Sequence, residues 1–378
     1  MAKATSNRRE FLQLAEPLVL AKRDRKGNLA FKVGGKFLSE KLDGTRCFWD
    51  GGVSRDLPTD SVPWASILDP KTGKKKAKIK PLATGLWSRY GNPIMAPDWF
   101  LNGLPACPLD GELWAGRGNF QTCRSICGGD EPDPRFKQIK YAVYSCPPIS
   151  AILGSGEIKN TNMTVMIDNA SIMVWFKARL EEFEGDYRFL NPGATFDDEL
   201  KFLSEAIESQ NDHCFMHKQV LLPEDETAAR DLMELHMDKI LAAGGEGVVL
   251  RDPQASWIPK RHTGILKFKP YSDAEARVIG FTSGRETAKG SRLQGMIGAL
   301  IVDYDGKRLE LSGLTDAERK FQTGEMAAHA AQNPGEDMPE HFQGQCFRKG
   351  QTVTFKYREL SDEGIPKEAR YWRKRDVE

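Results

Sequence analysis

The run Glu40-Lys41-Leu42-Asp43-Gly44-Thr45-Arg46 is the segment of this chain best suited to chemistry. A lysine ends an expected strand just before a tight turn, with a carboxylate two residues on and an arginine five on. Period-2 alternation carries Lys41 and Asp43 to one face, up to the turn. Such a lysine suits attack on phosphorus, with Arg46 and a metal ion neutralising the phosphate. A free lysine has a pKa of about 10.4, so only about one in a thousand is neutral near pH 7. Neighbouring cations and partial burial would lower it and expose the lone pair. Taken alone, the same run also fits a surface hairpin closed by a salt bridge.

Other charged groups point the same way. Asp110-Gly111-Glu112-Leu113 sets a carboxylate at a strand–turn junction, and Glu246-Gly247-Val248-Val249 sets another after a glycine pair. Lys267 and Lys269 alternate on one expected strand, presenting two cations to one site. Carboxylates beside lysines and arginines, with no histidine cluster, imply oxygen-ligated Mg2+ or Mn2+ and phosphate instead of zinc hydrolysis.

The elements that must carry these groups read as follows. Phe37 to Trp49 predicts two strands bent at Asp43-Gly44, a strong hairpin dipeptide. Apolar residues recur at helical spacing at Met173, Phe176, Leu180 and Phe183, at Leu200, Leu203 and Ile207, and at Ala228, Leu232 and Leu235. The last of these helices should stop at Gly244-Gly245. Val248 to Arg251 and Ile265 to Lys269 read as strands. After Pro270 come short strands at Ala276–Thr282, Ala299–Tyr304, Arg308–Leu311 and Val353–Arg358. Asp305-Gly306 is a further hairpin turn, and Thr315 with Glu318 forms a capping box that opens one helix. Short strands with one interposed helix suit a small oligonucleotide-binding barrel, so a domain boundary is expected near Lys269–Ala274.

Composition narrows the class. The 378 residues are long enough for two or three domains, and 40% hydrophobic with 28% charged residues excludes disordered and fibrous chains. The formal net charge is only +1, but Lys71, Lys74, Lys75, Lys76, Lys78 and Lys80 crowd one stretch, expected as an exposed loop or hairpin tip. Arg370, Arg373, Lys374 and Arg375 crowd another. Local patches decide where a phosphate backbone can sit. Seven cysteines with no CxxC pair argue against a zinc module and a disulfide framework. No apolar run suits a signal peptide or a membrane span. A soluble, cytoplasmic protein is expected.

The set of motifs resembles the covalent nucleotidyltransferases: ATP-dependent DNA ligases, RNA ligases and mRNA-capping guanylyltransferases. Lys41-Leu42-Asp43-Gly44-Thr45-Arg46 is similar to motif I, and Ser88-Arg89-Tyr90-Gly91 to motif Ia. Asp110-Gly111-Glu112 resembles motif III, Glu246-Gly247-Val248-Val249 motif IV, and Leu266-Lys267-Phe268-Lys269 motif V. Within the superfamily the chain most resembles the small ATP-dependent DNA ligases of bacteriophages and bacteria, through Pro97-Asp98-Trp99-Phe100 and Gly116-Arg117-Gly118-Asn119-Phe120-Gln121 as well. The resemblance implies an α+β architecture: an adenylation domain of antiparallel sheets and helices over 1–270, then an OB-fold β-barrel over 271–378.

It further implies that Lys41 is the nucleophile. ATP would be held by Glu40, Lys41, Arg46, Arg89, Glu112, Tyr144, Lys267 and Lys269, and Mg2+ or Mn2+ by Glu112, Glu246 and Asp43. Nicked double-stranded DNA would be met by Lys74, Lys75, Lys76, Arg370 and Arg375. The implied enzyme is a monomer in a bacterial cell or a phage-infected host. An RNA ligase, a capping enzyme and a catalytically dead nick-binding protein are the alternatives. Two positions depart from the family pattern. Ser145 follows Tyr144 where the family has aspartate, and Lys367-Glu368-Ala369-Arg370-Tyr371 replaces the Arg-x-Pro-x-aromatic opening of motif VI.

Overall fold

The computed structural model describes residues 12–18, 20, 29–68, 74–76, 78–148, 151, 169–183, 187–191, 193–207, 212–284, 293, 295–332, 346–361 and 363–374. The chain divides into two compact units, Met1–Phe268 and Lys269–Glu378.

In the first unit the strands are β1 (Leu14–Pro17), β2 (Phe37–Glu40), β3 (Thr45–Asp50), β4 (Leu86–Ser88) and β5 (Pro108–Trp114). They continue with β6 (Lys140–Ser145), β7 (Cys214–Met216), β8 (Val220–Leu221), β9 (Val248–Arg251) and β10 (Arg261–Phe268). Two five-stranded sheets result, one in the order β1-β10-β9-β2-β8 and one in the order β4-β3-β5-β6-β7. Pairing is antiparallel except for β1 with β10 and β6 with β7.

The expected hairpin at Asp43-Gly44 is not formed. β2 pairs with β8 and β9, whereas β3 pairs with β4 and β5, so the chain crosses from one sheet to the other between them. Gly44 is needed at this crossing because a Cβ there would lie 2.3 Å from the Leu113 carbonyl oxygen. The dipeptide marks a close approach, not a reversal.

The helices are α1 (Asp98–Leu101), α2 (Phe120–Cys127), α3 (Asn169–Glu182), α4 (Phe196–Ile207) and α5 (Glu226–Ala242). Leu200, Leu203 and Ile207 of α4 are buried as their spacing requires, and Leu203 and Ile207 join Trp49, Phe100, Leu113, Phe136 and Tyr141 under the second sheet. On α5 the buried stripe is Ala229, Met233 and Met237, one position away from the expected one, and Leu235 is exposed. The methionines fill the face against Leu38, Val248, Leu250 and Leu266 of the first sheet. Asp225 caps this helix through Ala228 N–H, and the helix stops before Gly244. Each sheet thus has its own helical cover and its own apolar core, which fixes both independently.

In the second unit β11 (Ser272–Ser283), β12 (Ile297–Tyr304), β13 (Lys307–Leu311), β14 (Thr352–Tyr357), β15 (Glu359–Leu360), β16 (Pro366–Lys367) and β17 (Arg370–Lys374) surround one helix, α6 (Asp316–Gln332). The main sheet runs β13-β12-β11-β14-β17 over a core that includes Val278, Leu300, Val302, Phe347 and Phe355. Asp305 and Gly306 have φ of 50° and 74°, as the two-residue turn between β12 and β13 demands. Thr315 N–H donates to Glu318 Oε2 at 2.8 Å and Glu318 N–H to Thr315 Oγ1 at 3.2 Å, the reciprocal capping box read from the sequence. Among the described residues the ladder is not closed all the way round, but Tyr371 N–H donates to Ser312 O at 2.7 Å and bridges the end of β13 to β17, in keeping with the OB-like architecture read from the sequence.

No helix among the described residues is long and apolar enough to cross a membrane. All seven cysteines are free, and six of them are buried.

Candidate active site

Between the ends of the two sheets of the first unit lies a cavity of about 240 Å3. Lys41 and Leu42 enter it from the crossing segment, Glu40 from β2, Arg46 from β3, Glu112 from β5 and Tyr144 from β6. Arg89, Arg251, Arg261 and Lys267 complete its charged lining. Six lining residues are Lys or Arg against two Glu, a balance that favours a polyanionic occupant.

Each cation is held in its own way. Lys41 Nζ donates to Glu246 Oε2, and the Lys41 backbone N–H donates to Gly247 O at 2.8 Å. Motifs 205 residues apart are thereby joined at the amine. Arg46 is clamped by the wholly buried Asp110 through Nε–Oδ1 and Nη2–Oδ2 bonds of 2.7 Å each, and Nη2 also donates to Gln13 O at 3.1 Å. Burial alone would lower the Arg46 guanidinium, but Asp110 outweighs it and raises the group above its ordinary value. The fork presents Arg46 as a fixed charge. Arg117 pairs in the same bidentate manner with Glu40, at 2.8 and 2.7 Å.

Glu112 is pushed by burial up to about 8, against the pull of Arg46 and Lys41. The Tyr144 ring is half-buried, with the Arg46 and Arg251 guanidinium carbons 5.1 and 5.0 Å from its centroid. Burial raises the Tyr144 hydroxyl well above its usual range, so the ring stays neutral. His217 Nε2 lies 2.9 Å from Glu40 O and acts as the donor, which fixes the tautomer. Burial lowers the His217 imidazole, outweighing that bond.

The structure gathers Glu40, Lys41, Arg46, Arg89, Glu112, Tyr144 and Lys267 around this one cavity, with Glu246 on the Lys41 amine. It does not bring Asp43 to the lining, because β2 ends at Glu40 and alternation lapses in the crossing segment. Lys269 lies beyond β10, in the second unit, and is not in the lining either. Among the described residues no three His, Cys, Asp or Glu side chains converge as a metal cage. Two carboxylates beside a cationic cavity still suit Mg2+ or Mn2+, which commonly bind one or two carboxylates together with substrate phosphates.

The lysine-rich stretch is more committed than its composition implies. Lys75 pairs with Asp60 at 2.8 Å, and Lys78 with Asp130 at 3.6 Å. Lys76 donates to Ser66 Oγ and Asn92 Oδ1, both at 2.9 Å, and Lys80 to Pro93 O and Gly129 O at 3.0 and 2.8 Å. Lys74 is exposed. Lys71 and Arg375 lie outside the described residues, and Arg370 opens β17 as an exposed side chain.

Residues 290–375 match the DNA ligase OB-like domain family. Over 344 residues, 91% of this chain and 88% of the relative, the sequence is 22% identical to a DNA ligase of Haemophilus influenzae. A solved chain from work on DNA binding with a minimal scaffold by Lig E DNA ligases is 22% identical, with TM-score 0.55, over 96% of this chain and 100% of its own. Another, Pmar-Lig_Pre., is 16% identical with TM-score 0.55, over 97% of this chain and 68% of its own. The α+β unit with two antiparallel-rich sheets, followed by the OB-like domain, is the fold shared with these two solved chains.

Arg251, Asp110, His217 and Glu199 were not singled out in the sequence for a role here. Alternation along β9 puts Arg251 on the same side as Val249, which also lines the cavity, and alternation along β5 puts Asp110 with Glu112. His217 carries no sequence signal; only the pairing of β7 beside β6 brings it in.

Proposed function

We propose that this chain is an ATP-dependent DNA ligase that seals 5′-phosphate/3′-hydroxyl nicks in duplex DNA through lysyl-AMP on Lys41. Residues 1–270 form the adenylation domain and 271–378 the OB-fold domain of a cytoplasmic monomer. The observation that carries this reading is the Lys41 amine, bonded to Glu246 at the wall of a cationic cavity, in a chain whose second unit matches a DNA ligase domain.

Lys41 Nζ gives up a proton, for which Glu246 is the adjacent acceptor, and forms a bond to the α-phosphorus of ATP. The bond from that phosphorus to the bridging oxygen breaks, and pyrophosphate leaves. AMP then passes to the 5′-phosphate of the nick, and the 3′-hydroxyl displaces AMP to close the strand. In-line displacements of this kind depend on positioning and charge neutralisation. Arg46 and Arg89 meet ribose or phosphate, Lys267 and Lys269 the α-phosphate, and Glu40 and Tyr144 the adenosine. Glu112 and Glu246, with Asp43 as a third candidate, would hold Mg2+ or Mn2+, which supplies charge neutralisation at the phosphates when bound. Lys74, Lys75, Lys76, Arg370 and Arg375 are the proposed DNA-backbone contacts.

Incubation with α-labelled ATP or GTP, followed by nicked DNA or nicked RNA, tests the reading. Label from ATP alone and sealing of DNA alone are expected; preference for GTP or RNA would replace the function. Lys41→Ala should fold and take no label. Lys41→Arg should not rescue it, because a guanidinium stays protonated. Label on another lysine of Lys41→Ala would refute the nucleophile.

A further inference from the structure

One buried carboxylate behind the cavity has no part in the steps above. Glu199, on α4, is 1% exposed, and its Oε2 accepts the Ser145 hydroxyl and, at 3.1 Å, the Cys146 backbone N–H. A buried carboxylate met only by neutral donors is costly, so a nearby cation is expected. Arg251 fills that place. It is itself buried, and its charge acts favourably on Glu199. Both residues line a void of about 10 Å3, room for about one water. On its other side Arg251 donates to Tyr144 O at 3.4 Å, and its guanidinium carbon lies 5.0 Å from the Tyr144 ring centroid.

Tyr144, Ser145 and Cys146 are consecutive. Glu199 therefore grips the strand next to Tyr144 directly, and acts on Tyr144 itself through Arg251. We propose that Glu199 is a positioning residue that fixes the Tyr144 ring as a nucleotide-stacking platform. It supplies from α4 the carboxylate that the resembled family carries at the position of Ser145. This rests on the reading of the cavity as an ATP site.

The position of the charge, not its mere presence in the fold, is then what matters, and it can be moved. Glu199→Gln keeps size and an acceptor oxygen but lessens the hold on Arg251. The double variant Ser145→Asp with Glu199→Ser returns the carboxylate to the strand. The assay is self-labelling against ATP concentration at about pH 8.5, where a carboxyl near 8 is largely ionised. Thermal unfolding is recorded on the same preparations.

Glu199→Gln should raise the half-saturating ATP concentration about tenfold, with the maximal labelling rate within about twofold of the parent. The double variant should recover half-saturation to within about threefold, while Glu199→Ser alone does not. Lower thermal stability with unchanged half-saturation would make Glu199 a fold-stabilising residue only and overturn the proposal. So would a double variant no better than Glu199→Ser, a comparison that holds even where Glu199→Gln folds poorly. A parent chain that takes no label from ATP refutes the ligase reading instead, and is recognised before any variant is compared.

Discussion

Replacing Asp110 by asparagine tests whether the clamp on Arg46 holds the site together. Asp110 is wholly buried, grips Arg46 by two bonds of 2.7 Å and also receives Trp257 Nε1 at 3.3 Å. Asparagine offers one oxygen, so one of the two charged bonds is lost, worth about 1.5–3 kcal/mol. Its amide nitrogen then faces either the guanidinium or the indole N–H, donor against donor, adding about 1 kcal/mol or more. The sum, about 3–4 kcal/mol, lies within the range for breaking one side of a buried pair. For a unit of this size it lowers the unfolding midpoint by roughly 6–16 °C. Calorimetry or a fluorescence melt reads that shift, and labelling with ATP reads the site. Replacing both partners, Asp110→Leu with Arg46→Met, should return most of the stability while labelling stays abolished. If Asp110→Asn melts within about 2 °C of the parent and labels normally, the clamp has been misjudged.

Three further outcomes are expected. Asp50 is buried against Ser54 and Trp87, and burial pushes it up to about 6. Stability tied to its proton is complete below about pH 4 and is lost as pH rises through about 6, a fall of up to about 3 kcal/mol; urea titrations across that window should show this loss, and Asp50→Asn should lack that component. Lys76→Ala, which removes bonds to Ser66 and Asn92, should cost about 1–2 kcal/mol in thermal or urea unfolding; neutralising Lys74, Lys75 or Lys76 should flatten the slope of log affinity against log salt by about one for each that meets a phosphate, and an unchanged slope would remove that residue from the proposed contacts. Arg370→Ala should weaken nick binding and sealing of a nick already carrying AMP while self-labelling is unchanged; a selective loss of self-labelling would overturn its assignment as a DNA-backbone contact.

Local rules carried much of the fold. The two-residue turn at Asp305-Gly306, the Thr315–Glu318 cap and the inward face of α4 all depend on neighbours a few residues away, and each formed as written. What failed was decided over long separations. The same reasoning that found Asp305-Gly306 misread Asp43-Gly44, because β2 and β3 are claimed by different partners from distant parts of the chain. The residues gathered at the cavity were legible by type, as cations and carboxylates. Their pairing was not: Arg46 with Asp110 spans 64 residues and Lys41 with Glu246 spans 205. Glu199 was hidden by its place on a helix, where it breaks an apolar face that periodicity alone would assign to the core.

The crossing between β2 and β3 has a mechanical consequence. Because Lys41 rides on the seam between two separately cored sheets, its amine registers any slip of one against the other. Glu246, two residues before β9, moves with the first sheet; Arg46 and Glu112 move with the second. The Lys41 amine is thus tied through Glu246 to the first sheet, while the Arg46 guanidinium and Glu112 belong to the other. A packing change deep in either layer becomes a change in the distance and angle between the Lys41 amine and the Arg46–Glu112 side of the cavity.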